Sequence, residues 1–355
     1  MKLKNLSTYI GIDFGSDSAK AVAMTKDKDS LALYSYSIEP TNGVDFTDPT
    51  QIMPVIKKLI SKLGKSHKNV FVSISSKAPV IRYQKINKIP LQNLRAQLRA
   101  NSTQYLSQDY SDYYLDCYEF PNLDVKPAGE GQPTPPAEEK KQAKYLIAGA
   151  SKKEVDAVFQ AFKKLKYDPV LVQVSGVSLM NGFEFAKFQD FQESSNLLVD
   201  LGNAFSTITL INKGSYEFVR VLDFGGQNIT DAISKAKGCD FVTAENMKRN
   251  PDEEIKSIID EAINDLIRAI QGSITFFEGQ TGGVIKKIDL SGGIARSIYI
   301  RESLANTIEL PVELWNPFVG VSLKKLKTAL QSSIQTEFSL LGAAVGVASE
   351  GLYMS

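Results

Sequence analysis

Residues 9–23 read YIGIDFGSDSAKAVA, and residues 197–210 read LLVDLGNAFSTITL. Each stretch is an apolar run that reaches an aspartate, passes one apolar residue and a glycine, crosses a few small or polar residues and resumes as a second apolar run. Apolar runs bounded by Gly, Ser, Asp or Asn clusters are the pattern of two strands joined by a tight turn. Each stretch therefore predicts a hairpin, with Asp13 aligned on Asp200 and Gly15 on Gly202. One Asp-x-Gly hairpin is common; the same hairpin in both halves of a chain is the mark of an internal duplication.

Outward from each hairpin the pattern is also repeated. After the first come a strand over 31–40, apolar residues at helical spacing over 52–63, and a buried strand VFVSIS at 70–75. After the second come a strand at 214–224, a helix from Asn228, a long helix over about 252–277, and the strand VIKKIDLSGG at 284–293. A helix from Ile298 and a terminal helix at 336–351, TEFSLLGAAVGVASEG, complete the chain. Between the halves lies a different unit: strand VIRYQKI, helix LQNLRAQLRANSTQYL, strands YYLDCYEF and YLIAGA, and helix SKKEVDAVFQAFKKLK. Ser151 and Glu154 are spaced as a capping box for that last helix. Residues 122–144 are rich in Pro, Gly, Glu and Lys without an apolar face, and predict a solvated, mobile loop.

The expected fold class is α/β, with two similar halves. The expected division is a first lobe of 1–79 and 167–195, an inserted α+β subdomain of 80–166, a second lobe of 196–338, and a helix at 339–355 that packs back on the first lobe.

Composition narrows the function classes. At 355 residues the chain is too long for one compact core, and with 43% hydrophobic and 23% charged residues it has the balance of a globular protein. Lys and Arg number 41 against 40 Asp and Glu, so no whole-molecule field draws it to nucleic acid or an anionic membrane. Two distant cysteines, Cys117 and Cys239, and one histidine, His67, exclude a disulfide framework, a Cys/His zinc site and a His-dependent triad, and predict a reducing, cytoplasmic setting with His67 at the surface. The opening MKLKNLSTYIGIDFG has no apolar stretch of signal-peptide length, and no window approaches the roughly 20 apolar residues of a membrane span.

The chemistry is read from the hairpins. An aspartate at a strand end sets a carboxylate beside the turn, and a glycine at positive φ would let successive N–H groups point into one concavity suited to phosphate. Two facing hairpins would grip a nucleotide's phosphates from both sides, with Asp13 and Asp200 holding a hydrated Mg²⁺ through water. Lys20 adds a point charge beside the phosphates. Gly225 with Gly226, and Gly292 with Gly293, are turns feeding helices and suit close approach of base, ribose or phosphate. Glu245 and Lys248, three apart on a predicted helix, share a face: the carboxylate suits ribose hydroxyls and the lysine stem can lie along a base, while an exposed ion pair is the alternative.

Taken together, IGIDFGSDSAK, LLVDLGNAFSTITL, FGGQNITDAI, AENMK, DLSGG and LLGAAVGVA resemble the five-motif ATP site of the actin-like superfamily, in order and over almost the whole chain. Within it the sequence is most similar to the PilM family of type IV pilus assembly; NSTQYLSQDYSDYYLD and WNPFVGV look like segments of that family. The resemblance implies the duplicated, ribonuclease H-like fold with an FtsA/PilM-type insertion. It implies a first phosphate loop of Asp13, Gly15, Ser16, Ser18 and Lys20, a second of Asp200, Gly202 and Asn203, and an adenosine site of Gly225, Gly226, Glu245, Lys248, Gly292 and Gly293. ATP and Mg²⁺ are the implied cofactors. The implied partners are the cytoplasmic N-terminal peptide of PilN, bound beside the insertion, and other platform and motor proteins of the pilus, with homo-oligomer formation left open. Membrane contact would come only through those partners, at the cytoplasmic side of the inner membrane.

Two departures qualify the resemblance. Asp17 puts a carboxylate inside the first phosphate loop, where it has to face away or weaken phosphate binding. Gln173 stands where the family often carries an acid, in the segment matched to the first connecting helix, with a plain strand residue as an equal alternative. No catalytic residue is assigned; Gln173 is the one candidate, able to orient water and a poor general base, so at most slow ATP hydrolysis is expected. The aromatic run Tyr105, Tyr110, Tyr113, Tyr114, Tyr118 and Phe120 fits either a partner surface or one packed sheet face, with packing preferred from the alternation in YYLDCYEF. The rivals are an FtsA-like division protein, disfavoured because no amphipathic tail follows the last motif, and a sugar-kinase-type phosphotransferase, disfavoured because no catalytic acid stands in a recognisable motif.

Overall fold

The structure is a computed structural model and describes residues 8–27, 30–64, 68–76, 78–120 and 142–354. In the first half β1 (Thr8–Phe14), β2 (Ser18–Asp27) and β3 (Ser30–Pro40) form an antiparallel meander. Helix α1 (Pro49–Leu63) starts where Asp48 accepts the Thr50 N–H and stops at Gly64 in the left-handed conformation, φ 75. Its buried stripe of Ile52, Val55, Ile56, Leu59, Ile60 and Leu63 returns the chain to β4 (Asn69–Ile74), parallel to β1.

The unit between the halves holds β5 (Val80–Asn87), α2 (Leu91–Ala100), α3 (Thr103–Leu106), β6 (Tyr113–Glu119), β7 (Gln142–Ser151) and α4 (Lys152–Lys164). Its strands form a small antiparallel sheet in the order β5-β7-β6. Leu94, Leu98, Leu115, Cys117, Tyr145 and Ile147 are its core, while α4 turns Ala157, Val158, Ala161 and Phe162 into the core of the first half. The Ser151 side chain makes no cap bond; Glu154 instead accepts from Ser76, at 2.6 Å, because the chain enters α4 from β7 with Glu154 facing the first sheet. The expected capping box is therefore absent. Most of the expected loop over 122–144, and His67, lie outside the described residues; Gln142 already belongs to β7.

The chain re-enters the first sheet as β8 (Asp168–Val174), then forms α5 (Ser175–Ala186) and α6 (Phe188–Glu193). The second half repeats the first: meander β9 (Ser195–Leu201), β10 (Ser206–Asn212) and β11 (Ser215–Leu222), helices α7 (Gly226–Lys237), α8 (Phe241–Arg249) and α9 (Glu253–Thr281), and β12 (Ile288–Ser291) parallel to β9. It continues through α10 (Ile298–Ile308), β13 (Val312–Leu314), β14 (Val321–Ser322), α11 (Ile334–Glu337) and α12 (Gly342–Met354). The sheets run β14-β3-β2-β1-β4-β8 and β11-β10-β9-β12-β13. Apart from β14, which returns from the second half to the edge of the first sheet, the two orders are identical. No helix of the described residues is long and apolar enough to cross a membrane.

Helices α5 and α12 cross on the face of the first sheet. A Cβ on Gly182 would lie 2.6 Å from the Gly342 carbonyl oxygen, and one on Gly346 would lie 2.6 Å from the Gly182 nitrogen. Backbone meets backbone there, which only glycine permits. Gly11 on β1 does the same for α12, where a Cβ would lie 2.7 Å from that of Ala348.

Candidate functional site

Asp13 is the penultimate residue of β1 and Asp200 that of β9, so the duplication sets one carboxylate near the tip of each central strand. Each is held by a serine on the neighbouring parallel strand and in direct register. Ser73 donates to Asp13 Oδ1 at 2.7 Å, and Ser291 donates to Asp200 Oδ1 at 2.7 Å. Burial pushes the Asp13 carboxyl above its ordinary range, opposed by Lys20, whose Nζ lies 3.8 Å from Oδ2, and by the Ser73 bond. Burial also raises Asp200, the Ser291 bond lowers it, and the field of Asp13 raises it again. The two carboxylates thus feel each other across the cleft.

The turns they introduce also meet. The Ala204 N–H donates to Ser16 Oγ at 3.2 Å, joining the tip of the second hairpin to that of the first. Lys20, near the start of β2, curls back over its own turn, donating to the Ser18 carbonyl at 2.9 Å. Gly15 and Gly202 are glycines for a reason other than the expected positive φ, which neither adopts. A Cβ on Gly15 would sit 2.8 Å from Lys20 Nζ and from the Ser18 oxygen, and one on Gly202 would sit 2.5 Å from the Phe205 oxygen. Tight closure of the hairpin demands them. Of the six glycines of the site, only Gly292 takes a left-handed φ, 93.

The remaining residues assemble on the second half. Gly226 opens α7 with Gly225 as its cap, and its N–H donates to the Gly202 carbonyl at 3.0 Å while Gln227 donates to Asn203 at 2.9 Å. The start of α7 is thereby tied to the second hairpin. A Cβ on Gly225 would lie 2.8 Å from the Ala204 carbonyl carbon, whereas one on Gly293 would meet nothing within 4 Å. Glu245 and Lys248 on α8 form an ion pair that also holds Thr230, and Lys248 Nζ donates to the Gly226 carbonyl at 3.0 Å and to Thr230 at 2.6 Å. An ammonium has three hydrogens, and all three are spent. Lys248 therefore offers its stem, while Glu245 keeps one oxygen free. Burial raises the Glu245 carboxyl, but the Lys248 and Thr230 bonds outweigh it and hold the group below its usual range.

Asp17 is exposed, and its carbonyl accepts the Thr41 N–H at 2.9 Å. With the Asn42 amide nitrogen turned to its acceptors, it donates to Asp17 Oδ1 at 3.2 Å, so this carboxylate is directed to Asn42. Gln173 lies on β8, one strand before the helix to which its segment had been matched. Its Oε1 accepts from Ser178 at 2.8 Å and from Asn181 at 3.4 Å, both on α5, which draws the amide oxygen to the helix. Sequence reading missed Ser73, Ser291 and Thr230. Ser73 alone carries a faint signal, a lone hydroxyl within a mostly apolar strand, while Ser291 shares its short strand with Asp289.

The group fits a hydrated Mg²⁺ and phosphates in one respect that is independent of any resemblance. Asp13 is buried and Asp200 partly buried, the charge of Asp13 reaches Asp200, and Lys20 is the one cation whose field acts on both, a surplus of negative charge that a divalent cation offsets. Among the described residues no group of three or more His, Cys, Asp or Glu side chains could hold a metal ion.

The family model for type IV pilus assembly protein PilM matches residues 11–351. The chain belongs to the PilM family. The solved PilM-PilN type IV pilus biogenesis complex is similar with a TM-score of 0.81 at 22% identity, over 97% of this chain and 98% of that one. The ethanolamine utilization protein EutJ from Carboxydothermus hydrogenoformans gives 0.55 at 12% identity, over 98% and 91%. MreB 5 of Spiroplasma citri bound to AMPPNP gives 0.51 at 12% identity, over 96% and 95%. The fold is the actin-like ATPase fold, and the chain is an actin-like protein of type IV pilus assembly.

Proposed function

We propose that this chain is an ATP- and Mg²⁺-loaded scaffold that captures the N-terminal cytoplasmic peptide of PilN and so links the pilus motor machinery to the inner-membrane platform. The observation that carries the nucleotide half is the duplicated carboxylate cleft, closed by the Ser16–Ala204 contact. Asp13 and Asp200 would hold the waters of Mg²⁺; Lys20, Ser16, Ser18 and the turns at Gly15, Gly202 and Asn203 would take the phosphates. Gly225, Gly226, Gly292, Gly293, Glu245 and the Lys248 stem would take the nucleoside. The metal would supply charge neutralisation of the phosphates. Hydrolysis would be slow at most, because the Gln173 amide oxygen is occupied by α5 and is a poor base in any case.

The partner half rests on the similarity to a protein solved together with PilN. The surface offered is the insertion, where Tyr114 and Tyr118 are exposed beside the described end of β6 while Leu115 and Cys117 point inward. Contact with the membrane would come through such partners, on the cytoplasmic side, with other platform and motor proteins and a second copy of the chain as further candidates. The test is calorimetry of a synthetic PilN N-terminal peptide against the protein with ATP and Mg²⁺, and against Asp200→Ala. Micromolar or tighter binding that weakens in the variant is the expected result. No peptide binding, with rapid ATP turnover on small hydroxylated substrates, would overturn the scaffold in favour of a phosphotransferase.

A further inference from the structure

The two halves of the cleft contain the same small device twice. In each, a buried serine sits directly across a parallel strand pair from the strand-tip aspartate, Ser73 beside Asp13 and Ser291 beside Asp200. Each serine is almost fully enclosed, at 0% and 1% exposure, and each donates at 2.7 Å to Oδ1. A carboxylate cannot donate, so the hydroxyl hydrogen must be the one shared. That bond uses one oxygen and one direction of each carboxylate and leaves Oδ2 for the cleft. β4 reads NVFVSI, with buried Val72 and Ile74 flanking Ser73 in sequence, and β12 reads IDLS, where Ser291 follows buried Asp289 and Leu290. A serine in such a position gains little from burial itself. Its evident partner is the aspartate.

We propose that Ser73 and Ser291 are positioning residues that aim the Asp13 and Asp200 carboxylates at the water shell of Mg²⁺. This rests on the nucleotide reading above. Without the serine, each carboxylate can rotate about its own bond: Asp13 toward Lys20, whose Nζ is already 3.8 Å from Oδ2, and Asp200 away from the like charge it faces. Either rotation would turn the carboxylate oxygen away from the ion whose waters it would hold. Partners that orient a metal-binding group from behind commonly cost about 10–100-fold in metal affinity when removed.

The experiment is calorimetry of ATP binding to the full chain, in excess Mg²⁺ and again in EDTA, for the wild type, Ser73→Ala and Ser291→Ala, with a thermal melt of each. The quantity read is the gain in affinity that Mg²⁺ gives. The expected result is that each alanine variant lowers that gain by about tenfold while its affinity in EDTA stays as in the wild type. Ser73→Cys and Ser291→Cys keep the volume with a weaker donor and should fall between; they also serve where an alanine variant melts early. Equal losses with and without Mg²⁺ would mean a merely structural role and overturn the proposal, as would an unchanged gain. A wild type that binds ATP equally with and without Mg²⁺ would overturn this proposal alone, and one that binds no ATP in either buffer would overturn the nucleotide reading as well.

Discussion

The crossing of α5 and α12 is where a single methyl group should do most damage, and the comparison needed to show it lies in the same molecule. Gly346→Ala places a Cβ 2.6 Å from the Gly182 nitrogen and 2.8 Å from the Ser178 carbonyl carbon, against the 3.4 Å at which ordinary contact begins. The obstacle is backbone on α5, and α12, which carries the new methyl, is itself packed against β1 and β4, so the two axes have to part by roughly 1 Å. Forcing extra volume into such a site costs about 3 kcal/mol, at the upper end of overpacking, and the better helix propensity of alanine returns about 1 kcal/mol. The net is a loss of about 2 kcal/mol, a fall of roughly 3 °C in the melting midpoint of a chain this long. Gly272→Ala makes the same chemical change inside α9, where a Cβ meets nothing within 4 Å. There the propensity gain of about 1 kcal/mol stands alone, and the midpoint should rise by roughly 1 °C. Thermal melts followed by circular dichroism read both. Shifts of the same sign in the two variants would refute the reasoning.

Asp13 and Asp200 titrate above their ordinary range in the folded chain, so the stability they contribute is present below that range and lost as pH rises through their raised values. Above those raised values their charges are a cost, so at alkaline pH Asp200→Asn should raise the melting midpoint by about 1 kcal/mol's worth while abolishing Mg²⁺-dependent ATP binding; a lower midpoint would contradict this. Gly15→Ala puts a Cβ 2.8 Å from both Lys20 Nζ and the Ser18 oxygen, so calorimetry should show ATP affinity down at least about tenfold, or 1.4 kcal/mol, with circular dichroism unchanged. Lys144 on β7 pairs with Glu217 on β11 at 2.8 Å, both half-buried; a double-mutant cycle with Lys144→Met and Glu217→Gln in urea should give a coupling of about 0.5–1 kcal/mol.

The duplicated α/β fold was legible because its signal is repeated. Asp13 and Asp200 stand out only as a pair, and the sheet orders then follow from strands that meander and return in parallel. What the sequence could not give was cross-strand register. Ser73 and Ser291 are single hydroxyls until β4 and β12 are set beside β1 and β9. The glycines were found for the wrong reason at Gly15 and Gly202, because a glycine in a turn does not say whether φ or close approach requires it. The spacing of Glu245 and Lys248 fixed their common face, but Thr230 and the Gly226 carbonyl, which consume the ammonium, come from another helix. Gln173 admits two readings, connecting helix by resemblance and plain strand residue by its apolar run PVLVQV, and the strand is the one observed.

The insertion is the part whose role depends most on how it is tethered. At one end α4 buries Ala157, Val158, Ala161 and Phe162 in the core of the first half. At the other, Lys144 bonds Glu217, and Tyr83 stacks on Tyr216 with ring centres 6.3 Å apart, both on β11 of the second half. Tyr216 in turn donates to the Met180 carbonyl on α5 at 2.9 Å, and Tyr83 donates to the Met180 sulfur at 3.4 Å. The insertion therefore touches both halves and the helix that joins them. A body fixed at two points on two lobes cannot stay still if the angle between those lobes changes. Closure around a nucleotide would have to break the Lys144 and Tyr83 contacts, rotate the insertion, or be resisted by it. Each alternative ties the state of the cleft to the aromatic face of β6, which is the coupling a nucleotide-loaded scaffold would need.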